Sequence, residues 1–140
     1  MVNSRAIDDL NPHVAALCIA FIDACKKQGI DVIITSTYRD IEAQNALYAK
    51  GRTIPGLKVT NAKGGFSHHN WKCAFDFVPI VGGKAVWDNA KTWEHCGKIA
   101  ESVGLEWAGR WTKFTEKCHC QATGGLTGNS VNPLLFRWGI

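Results

Sequence analysis

Asp76 stands where an aspartate is least expected. Residues 73–79 (CAFDFVP) alternate like a strand, with Ala74, Asp76 and Val78 on one face and Cys73, Phe75 and Phe77 on the other. Asp has poor strand propensity, and a buried carboxylate needs a cation, a metal or several hydrogen-bond donors. His69 precedes it in Ser67-His68-His69-Asn70-Trp71-Lys72-Cys73, and a turn into a strand can return both side chains to one place. The pair alone reads equally well as a hydrogen-bonded core pair. A second cluster is Glu116-Lys117-Cys118-His119-Cys120-Gln121. Joined by a distant His and Asp, His119 would complete a two-histidine, one-carboxylate set. Such a set leaves one coordination position open, the catalytic arrangement for zinc. Glu116 can then act as a base without being a ligand. It must sit on a bend before the strand, because strand positions three apart face opposite ways.

The elements that must position these groups are readable in outline. Val14, Leu17, Cys18, Phe21, Ile22 and Cys25 repeat at helical spacing, with Asn11 as cap, Pro12 in the first turn and Gly29 at the exit. Residues 31–37 (DVIITST) are β-branched and predict a strand. A second helix is expected over 40–50, stopped by Gly51, and then a long loop over 51–66 of the kind that is often functional. Gly82-Gly83 predicts a hairpin into a strand over 85–87. Trp93, Cys96, Ile99, Ala100 and Val103 predict a third helix over 89–103, ended by Gly104. Short strands are expected at 105–107 and 117–121, and an irregular tail at 122–140. Helices and short hairpin-linked strands in mixed order predict an α+β fold in one domain.

The 140 residues suit a single core. With 46% hydrophobic and 20% charged residues, the composition is that of a globular chain. A formal charge of +4 is compatible with an anionic partner and does not select one. No basic stripe or known module suggests nucleic acid. The longest apolar run, 14–22, is far shorter than the about 20 residues of a membrane span. It also makes a poor signal peptide, since one Arg and two Asp precede it and no small-residue cleavage site follows. The chain is therefore expected to start in a cytoplasm. There its six cysteines should be thiols, with Cys18 and Cys25 in the core.

Taken together, Ser67-x-His69, Asp76 and Glu116-x-x-His119 resemble the zinc peptidases of the D-Ala-D-Ala carboxypeptidase (VanY-like) superfamily. Within it the chain most resembles phage endolysins and bacterial wall enzymes that are L-alanyl-D-glutamate endopeptidases. Ser36-Thr37-Tyr38-Arg39, Glu42-Ala43-Gln44-Asn45-Ala46-Leu47-Tyr48, Gly51-Arg52-Thr53, Val59-Thr60-Asn61-Ala62, Gly104-Leu105-Glu106-Trp107 and Gly109-Arg110-Trp111 carry the same similarity, over about 11–121. The resemblance implies a Hedgehog/D-Ala-D-Ala peptidase-like fold, a central and mostly antiparallel sheet with helices packed on it. It implies Zn2+ held by His69, Asp76 and His119, with Glu116 as general base. It implies Arg39 as a catalytic or substrate contact and Ser67 as a substrate contact near the metal. The expected substrate is the stem peptide of bacterial peptidoglycan, cut between L-Ala and D-Glu by a monomer. The expected setting is phage infection: storage in the host cytoplasm and action at the periplasmic wall after a holin opens the membrane. Cys118 stands where the family commonly has Pro, and Cys120 where it has an apolar residue.

Three other readings compete. A D-Ala-D-Ala carboxypeptidase or dipeptidase would use the same zinc site, with Arg39 or Arg52 meeting the terminal carboxylate. A structural zinc could be held by Cys118, Cys120, His119 and His95, although no second Cys pair accompanies the first. A metal-free binding module would not need Glu116. His68 is expected beside the site or exposed, and His13 and His95 at the surface or against a helix. Trp71, Trp107 and Trp111 lie next to the motifs and are candidates for the cleft wall.

Overall fold

A computed structural model describes residues 1–123. The expected tail therefore lies outside the described residues, except for Ala122 and Thr123. Helix α1 (Pro12–Lys27) starts as expected: Asn11 Oδ1 accepts from the Val14 amide, and Pro12 opens the first turn. It ends at Gly29, whose φ of 79° suits the left-handed position after a helix. Val14, Cys18, Phe21 and Cys25 are buried. Strand β1 (Asp31–Ser36) follows, then helix α2 (Ile41–Ala49), capped by Asp40. After the long loop come β2 (Ala74–Val81), β3 (Lys84–Ala85), α3 (Ala90–Ser102), β4 (Glu106–Trp107) and β5 (His119–Gln121).

The sheet runs β1-β2-β5-β4, and β3 pairs with the far end of β2; every pairing is antiparallel. The expected α+β fold is thus observed. One face of β2 carries Phe75 and Phe77 into the core, and Cys73 just before the strand joins them. There Phe21 of α1 meets Phe77 edge-on at 4.8 Å and Phe75 at 5.8 Å. Trp93, Cys96, Ile99 and Ala100 bring α3 against the same core. The opposite face carries Asp76 between the buried Ala74 and Val78, so the alternation that places phenylalanines inside also delivers a carboxylate to the other side.

Element ends differ from expectation for local reasons. β1 stops at Ser36 because the Thr37 amide turns to the Ser4 carbonyl. β3 begins at Lys84, directly after Gly82 and Gly83, whose positive φ values of 60° and 78° make the tight hairpin turn. β5 begins at His119 rather than 117, because the His119 amide closes a turn on the Glu116 carbonyl at 3.3 Å. Three short 3-10 helices, Ile7–Asp9, His68–Trp71 and Ala108–Arg110, were not expected. Runs that short carry no hydrophobic period. The N-terminal segment also docks: Asn3 bridges Arg39, and the Ser4 amide donates to the Tyr38 carbonyl.

All six cysteines are free, as expected. Trp107 is not on the cleft wall. Its ring lies between Gly97 of α3 and Gly109, where a Cβ at either glycine would overlap the indole, and its Nε1 donates to the Lys117 carbonyl at 2.7 Å. Gly97→Ala gains about 1 kcal/mol of helix propensity. Forced overpacking costs about 1–3 kcal/mol, and the overlap here is with a rigid ring. The variant is expected to unfold at lower urea than the wild type, which a denaturation midpoint would show.

Candidate metal centre

The sheet register assembles the site. Ser36, Asp76 and His119 are neighbours in one row across β1, β2 and β5, and a shift between Ile34 and Ser36 sets that row. His69 comes from outside the sheet, on the 3-10 helix His68–Trp71. Ser67 and Asn70 form its capping box: Ser67 Oγ accepts from the His69 amide, and Asn70 Oδ1 accepts from the Ser67 amide. Asn70 also donates to the Arg39 carbonyl at 2.8 Å, which ties this turn to the end of β1.

Asp76 Oδ1 lies 3.2 Å from His69 Nε2 and 3.3 Å from His119 Nδ1. Tetrahedral ligands with bonds of about 2.0–2.1 Å stand about 3.3 Å apart. Both distances to Asp76 are therefore those of neighbouring ligands in a first coordination shell, and the three residues' ligand atoms lie within 4.8 Å of one another. Their outer partners fix the ring orientations. His69 Nδ1 is 2.8 Å from the Thr37 carbonyl and so donates there, which leaves Nε2 unprotonated toward Asp76. His119 Nε2 is 2.8 Å from Gln121 Oε1 and donates there, because Gln121 Nε2 in turn donates to Glu106 Oε2 at 2.6 Å. Two imidazole lone pairs facing a carboxylate repel unless a cation lies between them. The charges agree. Burial would raise the Asp76 pKa, but the His69 charge and the His119 hydrogen bond hold it well below the usual carboxylate range. Burial works to lower the His119 pKa, but the hydrogen bond and charge of Asp76 outweigh it and the pKa is raised. The donor set of two imidazoles and one carboxylate suits zinc.

The expected site residues are brought together. His69, Asp76 and His119 form one grouping of potential ligand atoms, all within 4.8 Å of one another. Glu116 is exposed on the loop before β5, off the strand as expected, with a carboxylate oxygen within 4.8 Å of Asp76 and of Cys118 Sγ. Arg39 and Ser67 line the same cleft, together with His68, Trp111, Phe114 and the loop around Thr60. The Arg39 guanidinium is largely engaged. Nη1 donates to Gln44 at 2.7 Å, Nη2 donates to Ser36 Oγ at 3.1 Å, and Asp76 Oδ2 is 3.9 Å from Nη2. Arg39 thus steadies the Asp76 oxygen that the histidines do not use.

The alternative structural zinc set is not assembled. Cys120 is fully buried on the core face, and His95 is exposed on α3. Neither belongs to a potential ligand grouping among the described residues. Sequence reasoning missed the supporting groups. Gln121 had a usable signal, since it lies two residues after His119 and so on the same strand face. The Thr37 carbonyl had none, being backbone. Gln44 is fully buried and links Arg39 to the Ala62 carbonyl at 2.7 Å, which the helical pattern alone did not show. Gln121→Ala should weaken metal binding by about 10–100-fold while the fold persists. Competition with a coloured chelator would measure this, and unchanged affinity would remove Gln121 from the support of His119.

Comparison with known proteins shows the family of the chain. Residues 8–119 match the VanY family, D-alanyl-D-alanine carboxypeptidase. The chain is 38% identical over 122 residues to the peptidoglycan L-alanyl-D-glutamate endopeptidase CwlK of Bacillus subtilis (strain 168), covering 81% of this chain and 73% of that protein. The L-Ala D-Glu endopeptidase ChiX of Serratia marcescens shares the fold with a TM-score of 0.67 at 15% identity, over 84% of this chain and 83% of that one. A vancomycin-resistance D,D-pentapeptidase VanY, solved in complex with Zn(II), shares it with a TM-score of 0.58 at 17% identity, over 80% of this chain and 71% of that one. The extent of the family match and the identity to CwlK place the chain in the VanY D-alanyl-D-alanine carboxypeptidase family of peptidases.

Proposed function

We propose that this peptidase is a zinc-dependent peptidoglycan endopeptidase that hydrolyses the L-Ala-D-Glu bond of the stem peptide. The observation that carries the metal chemistry is the triangle of His69 Nε2, Asp76 Oδ1 and His119 Nδ1, with both histidines oriented by outer acceptors. The choice of bond rests on the similarity to CwlK. His69, Asp76 and His119 would hold the ion. When bound, zinc supplies Lewis acidity and an acidified water at its open position. Glu116 takes the proton from the attacking water and returns it to the leaving amine. Ser67, which lines the cleft, contacts the substrate backbone. Arg39 adds positive charge where the carbonyl oxygen becomes an anion, and removing such a donor costs about 3 kcal/mol or more.

The resemblance to phage endolysins supports a role in host lysis. In that role the protein is a monomer, held in the host cytoplasm and reaching the periplasmic wall after holin opening. No helix among the described residues is long and apolar enough to cross a membrane. The second reading is a D-Ala-D-Ala carboxypeptidase, which the family's description favours. Product analysis on purified muropeptides separates the two. Peptides with a new D-Glu amino terminus are expected; release of D-Ala alone would move the protein to the carboxypeptidase reading.

A further inference from the structure

Cys118 is a residue that the proposed mechanism does not use. It lies in the turn just before β5, half-buried, with its stem packed against the core. The Phe77 amide donates to its carbonyl at 3.0 Å, which anchors it to β2 beside Asp76. Cys118 Sγ, a Glu116 oxygen and an Asp76 oxygen all lie within 4.8 Å of one another. This grouping is separate from the histidine grouping and shares only Asp76 with it.

We propose that Asp76, Glu116 and Cys118 form a second, weaker site for a thiophilic divalent cation such as zinc, and that filling it inhibits the peptidase. The inference rests on the reading of Glu116 as general base. Asp76 Oδ1 is committed to the two histidines, and Oδ2 is the oxygen left to a neighbour. A carboxylate shared in this way is the usual bridge between ions about 3.5–4 Å apart. Thiolate and carboxylate are both zinc ligands, and the exposed Glu116 side chain is free to close on the ion. Binding forms a sulfur–metal bond and releases the thiol proton to solvent, with no change of oxidation state. Arg39 near Oδ2 and the first cation both repel a second one. The site therefore fills only when metal exceeds one equivalent. Its occupation takes from Glu116 the lone pair that accepts the water proton.

The test is a cobalt titration of metal-stripped protein, followed by rate measurements in excess zinc, for the wild type and for Cys118→Ala and Cys118→Ser. The histidine site contains no sulfur, so the first equivalent should give no thiolate-to-cobalt absorption. That absorption should rise with the second equivalent and be absent from both variants, which still bind the first. Excess zinc should depress the wild-type rate toward the loss of about 10²–10⁴-fold expected when a base is removed. Both variants should keep their one-equivalent rate. No thiolate band in the wild type, a band surviving in the variants, or equal zinc inhibition of all three proteins would overturn the second site. None of these results would touch the first. Failure of the proposed peptidase reading would show instead as no hydrolysis at one equivalent of zinc, and the cobalt band would still decide the second site.

Discussion

Glu116→Gln is expected to keep its metal and lose most of its hydrolysis. The change removes one charge and one proton-accepting oxygen and keeps the shape. Glu116 is outside the His69, Asp76 and His119 grouping, so the first coordination shell stays whole. Its position is set by backbone: the Glu116 amide donates to the Ala108 carbonyl at 3.2 Å, and its carbonyl receives the His119 amide. The side chain is thus carried to the ligand strand without being part of it. General-base catalysis contributes about 10²–10⁴-fold, so kcat should fall by that factor with KM little changed. Rates on soluble stem peptide, with metal content measured on the same samples, check this. Hydrolysis at the wild-type rate would remove Glu116 from the base role.

The second large effect is on the metal itself. His69→Ala, Asp76→Ala and His119→Ala should each emerge from dialysis with little bound zinc, where the wild type keeps one ion per chain. Each loses one of three protein ligands, and the two left cannot enclose the ion. The variants should differ in stability. The histidine changes remove groups that face one carboxylate, whereas Asp76→Ala also strips Arg39, a buried cation, of its facing carboxylate. A buried charge left without its partner is costly, so Asp76→Ala should be the least stable of the three. Elemental analysis after dialysis measures the metal. A full complement retained in any one variant would take that residue out of the ligand set.

How much of this was legible in the sequence depended on whether a residue broke a local rule. Asp76 did, as a carboxylate inside an apolar strand, and it led to the site. The stripes of α1 and α3 were visible because a buried helix face repeats over several turns. The requirement that Glu116 leave the strand followed from strand geometry alone, and the structure places it on the preceding loop. The supports were not legible. Register decides that Asp76 faces His119 rather than a residue one step along, and register comes from the whole sheet. The Thr37 carbonyl that orients His69 belongs to no residue type. The docking of Asn3 and Ser4 onto Tyr38 and Arg39 is backbone pairing by a segment with no hydrophobic period. The neighbours of Trp107 in the chain make it a candidate for the cleft, yet two glycines, one of them on α3, make room for it in the core.

The most direct test is to strip the protein of metal, incubate it with purified peptidoglycan, and then restore one equivalent of zinc. No new D-Glu amino termini are expected from the stripped protein, and they should appear once zinc is returned. Continued release of those termini by the stripped protein would contradict zinc-dependent hydrolysis.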